Sequence, residues 1–509
     1  MMANRTEPLG DRLRRRLDRV GWEVRRREVG HVIRVGDGVA YLSGMPSVKY
    51  GELLECAGGL SALAFDLRPD EVGALFLGPA DKVAAGDEVR LTGRVVSVPV
   101  GVALLGRVIE PLGAPLDGKG SFRPEAVWPV EREAPGVADR QPVTEPLLTG
   151  TQVIDALLPI GRGQRELILG DRATGKTTIA LDAILAQRGT GVKCVYASIG
   201  ERKAALAEVV DALAARGALE YTTVVAADAD AAPGLQYLAP FAACTIGEYF
   251  MHRGGHVLVV YDDLTKHADA YRRLCLLLGR PPGREAYPAD VFYLHARLLE
   301  RATKLHGRLG GGSLTALPVA ATQAGNVAAY IPTNLISITD GQIYLNTRLF
   351  NEGQRPAVDV GLSVSRVGGK AQPPGLRHVV GDLKLFYSQL PELESFTRFG
   401  AELEPQTRQR LERGRRLREV FKQRPHDPRP LGQLVARLFA VREGLLDPLP
   451  VELIDAFLAA LASRLEDTEP ELLRALQQPN PTLNDIEERL RAVITAERGA
   501  FTPTGGGKP

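Results

Sequence analysis

The chain is poor in the features that would tie it to a special environment. It holds four cysteines in 509 residues, Cys56, Cys194, Cys244 and Cys275, and no two form a CxxC pair. This excludes a disulfide scaffold and a zinc site built from four cysteines, so free thiols of a reducing compartment are expected. The eight histidines show no HExxH spacing, which argues against a His-bound metal. No apolar run reaches the roughly 18 residues of a membrane-spanning helix. The start, MMANRTEPLGDRLRRRLDRV, is basic but lacks the apolar stretch of a signal peptide. An excess of one charge is missing too. Lys+Arg is 63 against Asp+Glu 61, a net +2, which excludes a protein that coats nucleic acid by bulk charge. Only 12 of the 63 basic residues are Lys, so arginine is abundant and a lone Arg says little about function.

What is present is ordinary for a soluble globular chain: 44% hydrophobic and 24% charged residues. Its length suggests about three domains and is enough to bury a large core without disulfide or metal. Residues 1–29 read as a charged helix, with Leu9, Leu13, Leu17 and Val20 on one narrow apolar stripe. The stripe suits either packing on the protein's own body or docking of a partner. Residues 30–98 break into short apolar runs separated by glycine, as in GHVIRVGDGVAYLSGMPSV and DEVRLTGRVVSVPVG, the texture of a small β-barrel. Residues 99–380 form the expected α/β domain, beginning with a Pro- and Gly-rich connector at 99–150. Here RELILG, KCVYASIG, TTVVAAD, HVLVVYDD, SLTALPVAAT and LISITDGQIYL read as strands, most of them buried on both faces. Helical periods stand between several of them, the pattern of a parallel sheet covered by helices. Residues 381–500 read as a helical domain, with Leu453, Ile454, Phe457, Leu458, Leu461 and Leu465 on one face. Residues 501–509 read as a disordered tail.

The chemistry is concentrated in three places. Gly170-Asp171-Arg172-Ala173-Thr174-Gly175-Lys176-Thr177 fits GxxxxGK[ST] between a strand and a helix, the context this phosphate loop requires. Its backbone amides and the helix N-terminus attract phosphate. Lys176 is expected on the β/γ-phosphates and the Thr177 hydroxyl on Mg²⁺, with Thr178 following in the same turn. HVLVVYDD ends in an acidic pair whose first member, Asp262, suits the Mg²⁺ shell of a nucleoside triphosphate as a Walker B acid. Glu201, in SIGERKAAL, ends another strand. There it either orients water near a γ-phosphate or is a helix-N-terminal acid favoured by the dipole.

The segments GDRATGKT, YDDLTKHADAYRR, RPPGREAYPADVFYLHARLLERA, IPTNLISITDGQIYL and VGLSVSRVGGKAQ closely resemble the α subunits of F-type ATP synthases. So does VGDGVAYLSGMPSVKYGELLE in the barrel. The resemblance runs from about residue 28 to 500 and is weaker in the last 120. The catalytic β subunits of that family have a phosphate loop richer in glycine and lack VSRVGGKAQ. The resemblance implies an N-terminal β-barrel, a P-loop (RecA-like) nucleotide-binding domain and a C-terminal helical bundle. It implies an α3β3 hexamer around a γ stalk, a peripheral-stalk (δ-type) subunit at the N-terminus, and indirect coupling to a membrane sector. The place implied is the cytoplasmic face of a bacterial inner membrane, peripherally attached. The α-type site would bind Mg²⁺ with ATP or ADP without turning it over. By matching motif, Arg366 resembles the finger that α extends to the γ-phosphate in the β site, where it offsets developing charge. Ser363 lies in the same expected strand, and Ser337 resembles a second interface residue. Arg355, Pro356 and Gln423 resemble residues around the adenine.

Three departures stand out. Ala173 and Glu201 replace glutamines, and Pro425 replaces a second adenine-pocket glutamine. Together they suggest a divergent α, of the alternate, sodium-translocating kind. Two other readings compete. A self-sufficient homohexameric ATPase of the secretion type would use Glu201 to position water and Arg366 in trans. A nucleic-acid translocase would need a base-stacking domain ahead of the core, and residues 30–98 lack the clustered aromatics for one. An assembly component with no catalytic part is a further possibility, which loss of Arg366 function would favour.

Overall fold

The computed structural model describes residues 28–398, 404–476 and 483–501. The stripe of Leu9, Leu13, Leu17 and Val20, and positions 502–509 of the expected tail, lie outside the described residues. The chain divides into two compact units, up to Val95 and from Val96 onward.

The first unit is a closed antiparallel barrel. Strands β1 (Val29–Gly36), β2 (Val39–Ser43), β3 (Glu52–Glu55), β4 (Ser61–Leu67), β5 (Val72–Phe76) and β6 (Glu88–Val95) run in the order β1-β2-β5-β4-β3-β6, and β6 pairs back on β1. Closure removes every free edge. Asp37-Gly38 turns β1 into β2 with both residues at positive φ, the backbone that a tight hairpin needs. Small side chains at Ala40, Ala62, Ala64 and Ala74 leave room in the barrel for Leu42, Leu54 and Phe76. Register shifts at Val32/Arg34, Ala64/Asp66 and Glu52/Leu54 bend the strands into closure.

The second unit is built on a nine-stranded sheet. Its path is β19 (Val364–Ser365), β18 (Gly341–Leu345), β12 (Leu167–Gly170), β17 (Ser313–Ala321), β15 (His256–Asp262), β13 (Lys193–Ile199), β14 (Thr222–Ala227) and β8 (Val108–Ile109), with β16 (Thr303–Lys304) paired to β17. From β18 to β8 every neighbour is parallel, and β19 is antiparallel. The stretch read as a connector therefore does more than connect. It supplies β8 to the sheet edge, and two small ladders, β7 (Ser97–Val100) with β9 (Ala126–Pro129) and β10 (Pro146–Leu147) with β11 (Ile160–Gly161).

Two expectations need correction. Only Gly341–Leu345 of LISITDGQIYL is strand; Tyr330–Ile338 is a helix. The buried Ile331, Leu335 and Ile338 fall at i, i+4 and i+7, a helical period hidden inside an apolar, β-branched run. Likewise, Ser363 and Arg366 do not share a strand. They flank the two-residue β19, with Ser363 buried and Arg366 exposed.

The C-terminal helices Leu383–Arg398, Pro405–Phe421, Leu431–Arg442, Ile454–Thr468, Pro470–Leu476 and Leu483–Phe501 share one apolar core with the α/β domain. Ile168, Leu258 and Val319 of the sheet and Leu434, Phe439 and Phe457 of the helices belong to the same cluster. Leu453 leaves the predicted face, since it precedes the helix and is 36% exposed. Phe501, assigned by sequence to the tail, ends the last helix edge-on to Phe457. Among the described residues, no helix is long and apolar enough to cross a membrane.

One buried ion pair fastens the helix Pro233–Met251 to the segment after Val291–Leu299. Arg301 donates Nε to Glu248 Oε1 (2.7 Å) and Nη2 to both Glu248 Oε2 (2.8 Å) and Thr245 Oγ1 (2.7 Å), while Nη1 reaches the Val130 carbonyl. Both partners are 1% exposed, and Arg132, at the edge, lies 3.2 Å from Glu248 Oε2. Removing one leaves the other charge buried. Arg301→Met should therefore cost about 3–5 kcal/mol, and the double change with Glu248→Leu clearly less. Urea unfolding of the chain followed by circular dichroism checks the order.

Candidate nucleotide-binding site

The parallel register brings the C-terminal ends of five strands to one edge of the sheet. β12 ends at Gly170, in register with Ala321 of β17 and Leu345 of β18. On the other side of β17, β15 ends at Asp262, in register with Ser198 of β13, from which the chain runs on to Glu201. The phosphate loop, Asp262 and Glu201 thus converge, although 92 residues separate Gly170 from Asp262 and β17 intervenes.

The loop is held in shape by its own side chains. Gly175 adopts φ +98°, which glycine reaches without strain, and then begins the helix Lys176–Leu185. A side chain at Gly170 would run into Leu345 and Thr174. The Thr174 hydroxyl donates to the Asp171 carbonyl (2.8 Å). The Asp171 carboxylate faces away from the loop's concavity. It accepts from Thr322 Oγ1, the Gly325 amide and Thr347 Oγ1. Burial opposes its ionisation, but these bonds outweigh it and hold the group below its ordinary value. Asp171 is an anchor of the loop. Arg172 and Ala173 are exposed at the crest, with Ala173 at φ +62°.

Lys176 is 9% exposed, and its Nζ donates to the Gly170 (2.9 Å) and Asp171 (2.6 Å) carbonyls. Burial lowers its pKa, so it is a cation short of compensating anions. Across from it lie acids with the opposite need. Asp262 Oδ2 accepts from Thr177 Oγ1 and Tyr196 Oη, both at 2.7 Å. Burial still raises its pKa, and burial together with Asp262 pushes Asp263 up to about 7. Oxygens of Glu201, Asp262 and Asp263 lie within 4.8 Å of one another. This is a hard-oxygen donor set in a desolvated place that gains from a divalent cation, and it fits Mg²⁺ with the Thr177 hydroxyl.

Glu201 matches neither expectation fully. It precedes the helix Lys203–Ala215 by two residues and forms an ion pair with Lys266. Lys266 belongs to Leu264–Leu277, a helix capped by the Asp263 carboxylate, which accepts from the Lys266 amide (2.7 Å). The acid read as a catalytic candidate is thus already held by a cation.

Beside the loop, a cleft is lined by Thr174, Gly175, Ile179, Phe350, Pro356 and Pro425. Thr178, Arg355 and Gln423 also line it. The apolar walls suit a flat ring. Arg355 lies over the Phe350 ring at 4.4 Å. Gln423 is more constrained than the sequence reading implied. Its Nε2 donates to the Gly150 (2.7 Å) and Asp427 (2.8 Å) carbonyls, and its Oε1 accepts from the Gln152 amide (2.9 Å). Both donors are spent on backbone, leaving one lone pair of Oε1 for a ligand. Gln423 fastens the C-terminal domain to the 150–152 turn.

Arg366, Ser337 and Ser363 are elsewhere. Arg366 donates its backbone N–H to the Asp340 carbonyl (2.9 Å), at the N-terminal end of β18. Ser337 is exposed in the helix just before that strand, its hydroxyl donating to the Asn334 carbonyl. The phosphate loop starts level with Leu345, four residues along, about 13 Å at the strand rise and two strands over. Ser363 is structural within this chain: its Oγ donates to the Asp359 carbonyl (2.6 Å) and accepts from the Tyr344 amide (2.9 Å). Sequence reasoning missed Tyr196, hidden in the apolar run KCVYASI. It also missed Lys266, which stood in a quoted motif without a role, and Asp182, which lines the base cleft.

Three domains of one family match along the chain: the β-barrel domain of the ATP synthase alpha/beta family at residues 26–93, its nucleotide-binding domain at 150–365 and its C-terminal domain at 372–497. Among curated relatives, the ATP synthase subunit alpha of Aquifex aeolicus is 52% identical over 481 residues, covering 94% of this chain and 96% of that protein. That of Dehalococcoides mccartyi is 50% identical over 494 residues, covering 97% and 98%. Neither name carries a coupling ion, and the sodium-translocating kind suggested by the three departures is not indicated.

Asp182, in the helix behind the loop, accepts the His426 amide (2.8 Å). Burial pushes its pKa up to about 7, with Asp427 adding and Arg216 opposing. The folded state therefore holds this proton more tightly than the unfolded chain, whose Asp titrates near 3.9. Stability falls as pH rises from about 4 to 7. Asp182→Asn, which keeps an acceptor, should stabilise the chain by a few kcal/mol at pH 8 and progressively less toward pH 5. Urea midpoints across that range check this.

Proposed function

The chain belongs to the ATP synthase alpha/beta family, as an alpha subunit of the F1 catalytic sector, and on that premise we propose how its two functional ends divide the work. The phosphate-loop end binds Mg-ATP or Mg-ADP and holds it. The loop amides and Lys176 take the phosphates, Thr177 and Asp262 ligate Mg²⁺, and the cleft of Phe350, Pro356 and Pro425 takes the base, with Arg355 and Gln423 at its border. Bound Mg²⁺ supplies the positive charge that the desolvated acids lack. The ion pair of Glu201 with Lys266 supports a site that does not hydrolyse, because a carboxylate held by a cation is a poor base for water.

The Arg366 end acts on a neighbour. The observation that carries this reading is its position: an exposed guanidinium at the opposite end of the sheet from the chain's own phosphate loop. Arg366 then serves the site of an adjacent β subunit in an α3β3 ring, offsetting charge on the transferring phosphoryl group, with Ser337 beside it at the same interface. The γ stalk, a peripheral-stalk subunit at the N-terminus and a membrane sector complete the partners. They hold the subunit at the cytoplasmic face of the membrane, where it couples ATP synthesis or hydrolysis to ion transport. A homohexamer in which Arg366 serves a second copy of this chain is the alternative. It requires ATP turnover by the lone chain, with Glu201 positioning water.

Two measurements test this. Lys176→Ala should weaken Mg-ATP binding to the isolated chain at least about tenfold, since it removes the one buried cation of the loop; equal affinities in equilibrium dialysis would remove the phosphate-loop assignment. In the hexamer reconstituted with β and γ, Arg366→Ala should lower steady-state ATPase by about 10³ or more, and Glu201→Gln by less than about tenfold. The reverse order would mean that this chain hydrolyses ATP itself.

A further inference from the structure

On the proposed reading Arg366 meets a neighbour's phosphate, yet carboxyl groups lie close to it. Any of them could capture an arginine that has to stay available. Among the described residues its guanidinium nevertheless forms no hydrogen bond or ion pair. The reason lies beneath the strand that leads into it.

Two carboxyl groups lie near Arg366, on the residues just ahead of β18 and β12. Asp340 is held by Arg165, whose backbone N–H and Nε both donate to Oδ2 (3.0 Å each) and whose Nη2 donates to Oδ1 (2.9 Å). The other is Glu166, 0% exposed. A Cβ on Gly341 would run into both the Val364 carbonyl and Glu166 Oε2, so the bare glycine lets the two strands close over this carboxyl group.

The group is wired toward Arg366. The Gly161 amide donates to Gln164 Oε1 (2.8 Å), which fixes the orientation of that buried amide. Gln164 Nε2 then donates both to Glu166 Oε2 (2.7 Å) and to Ser365 Oγ (3.0 Å). Ser365, the residue before Arg366, donates its hydroxyl to the Pro159 carbonyl (2.7 Å) and accepts from the Gly368 amide (3.3 Å). Glu166 Oε1 is buried with no partner. Burial raises the Glu166 pKa far above its ordinary value, with Asp340 adding and Lys384 and Arg366 opposing.

We propose that Glu166 is a positioning residue for Arg366: through Gln164 and Ser365 it fixes the short strand that leads into the arginine, and its burial beneath that strand keeps it from capturing the guanidinium, which stays free to reach a neighbour. Arg165 performs the matching task on Asp340. This deepens the finger reading of Arg366 and rests on it.

The test is a double-mutant cycle in the reconstituted hexamer, reading ATPase kcat and KM. Glu166→Gln keeps an acceptor oxygen and the side-chain shape, and kcat should stay within about twofold of the parent. Glu166→Leu removes the acceptor and should lower kcat at least about tenfold with KM unchanged. On the Arg366→Ala background the same Leu change should lower the residual rate by less than about twofold, because it acts through a side chain no longer there. A parent-like kcat in Glu166→Leu overturns the proposal. So does a full-sized loss that persists without Arg366, which would mark Glu166 as structural only. If the Leu variant does not assemble, Ser365→Ala cuts the same wire at an intermediate-exposure position; it should show the kcat-only loss, and parent-like kinetics overturn the proposal equally. If Arg366→Ala alone leaves turnover unchanged, the finger reading falls and this proposal with it. The first two failures, by contrast, leave that reading standing.

Discussion

The parallel alignment of the central sheet is the constraint on which both ends of this molecule depend. Parallel strands deliver all their C-terminal ends to one edge, so the phosphate loop after β12, Asp262 after β15 and Glu201 beyond β13 meet there, however far apart they stand in the chain. The same constraint removes Arg366 from that edge. Along the path of the sheet β19 runs against its neighbour, and it pairs with the start of β18, at the far end of the sheet. A single sheet thus presents a nucleotide site at one end and a lone cation at the other. No geometry within one chain brings the two together.

Each end is prepared by burying charge that is only partly compensated. At the nucleotide site the loop points its lysine at carbonyls while Asp262 and Asp263 lie desolvated opposite, so both halves gain when phosphate and a divalent cation arrive. At the Arg366 end the solution is the reverse. Asp340 is consumed by Arg165 and Glu166 is buried, so the nearby carboxyl groups are taken out of competition before a partner appears. In both places charge is held in the interior at a cost to stability.

The C-terminal helices belong to the same device. They share the apolar core of the α/β domain, and Gln423 latches them to the turn at residues 150–152, next to the base cleft. His426 adds a second tie, to Asp182 in the helix that starts at the phosphate loop. The walls of the cleft therefore come from both domains, and a shift of the helices changes the cleft directly.

The sequence by itself determined the architecture and the place of the glycine-bearing loop between a strand and a helix, because both are written in local patterns. GDRATGKT between a strand and a helix, HVLVVYDD, and glycine-broken apolar runs ahead of them depend only on near neighbours. Where local pattern was ambiguous it misled. LISI reads equally well as strand or as the buried face of a helix, and the context after Pro332 decided for helix. Ser363 and Arg366 looked like one strand, but β19 is two residues long and its alternation sends them to opposite faces. Only the tertiary structure decided which side chains are free and which are spoken for. Gln423 and Glu201 look available as letters; the first is tied to three backbone groups and the second to Lys266. Glu166 and Asp340 look like ordinary charges. Their states are set by burial and by partners such as Arg165, whose pairing with Asp340 joins residues 175 positions apart. Hydrogen-bond saturation and desolvation are properties of the packed interior, and no linear pattern records them.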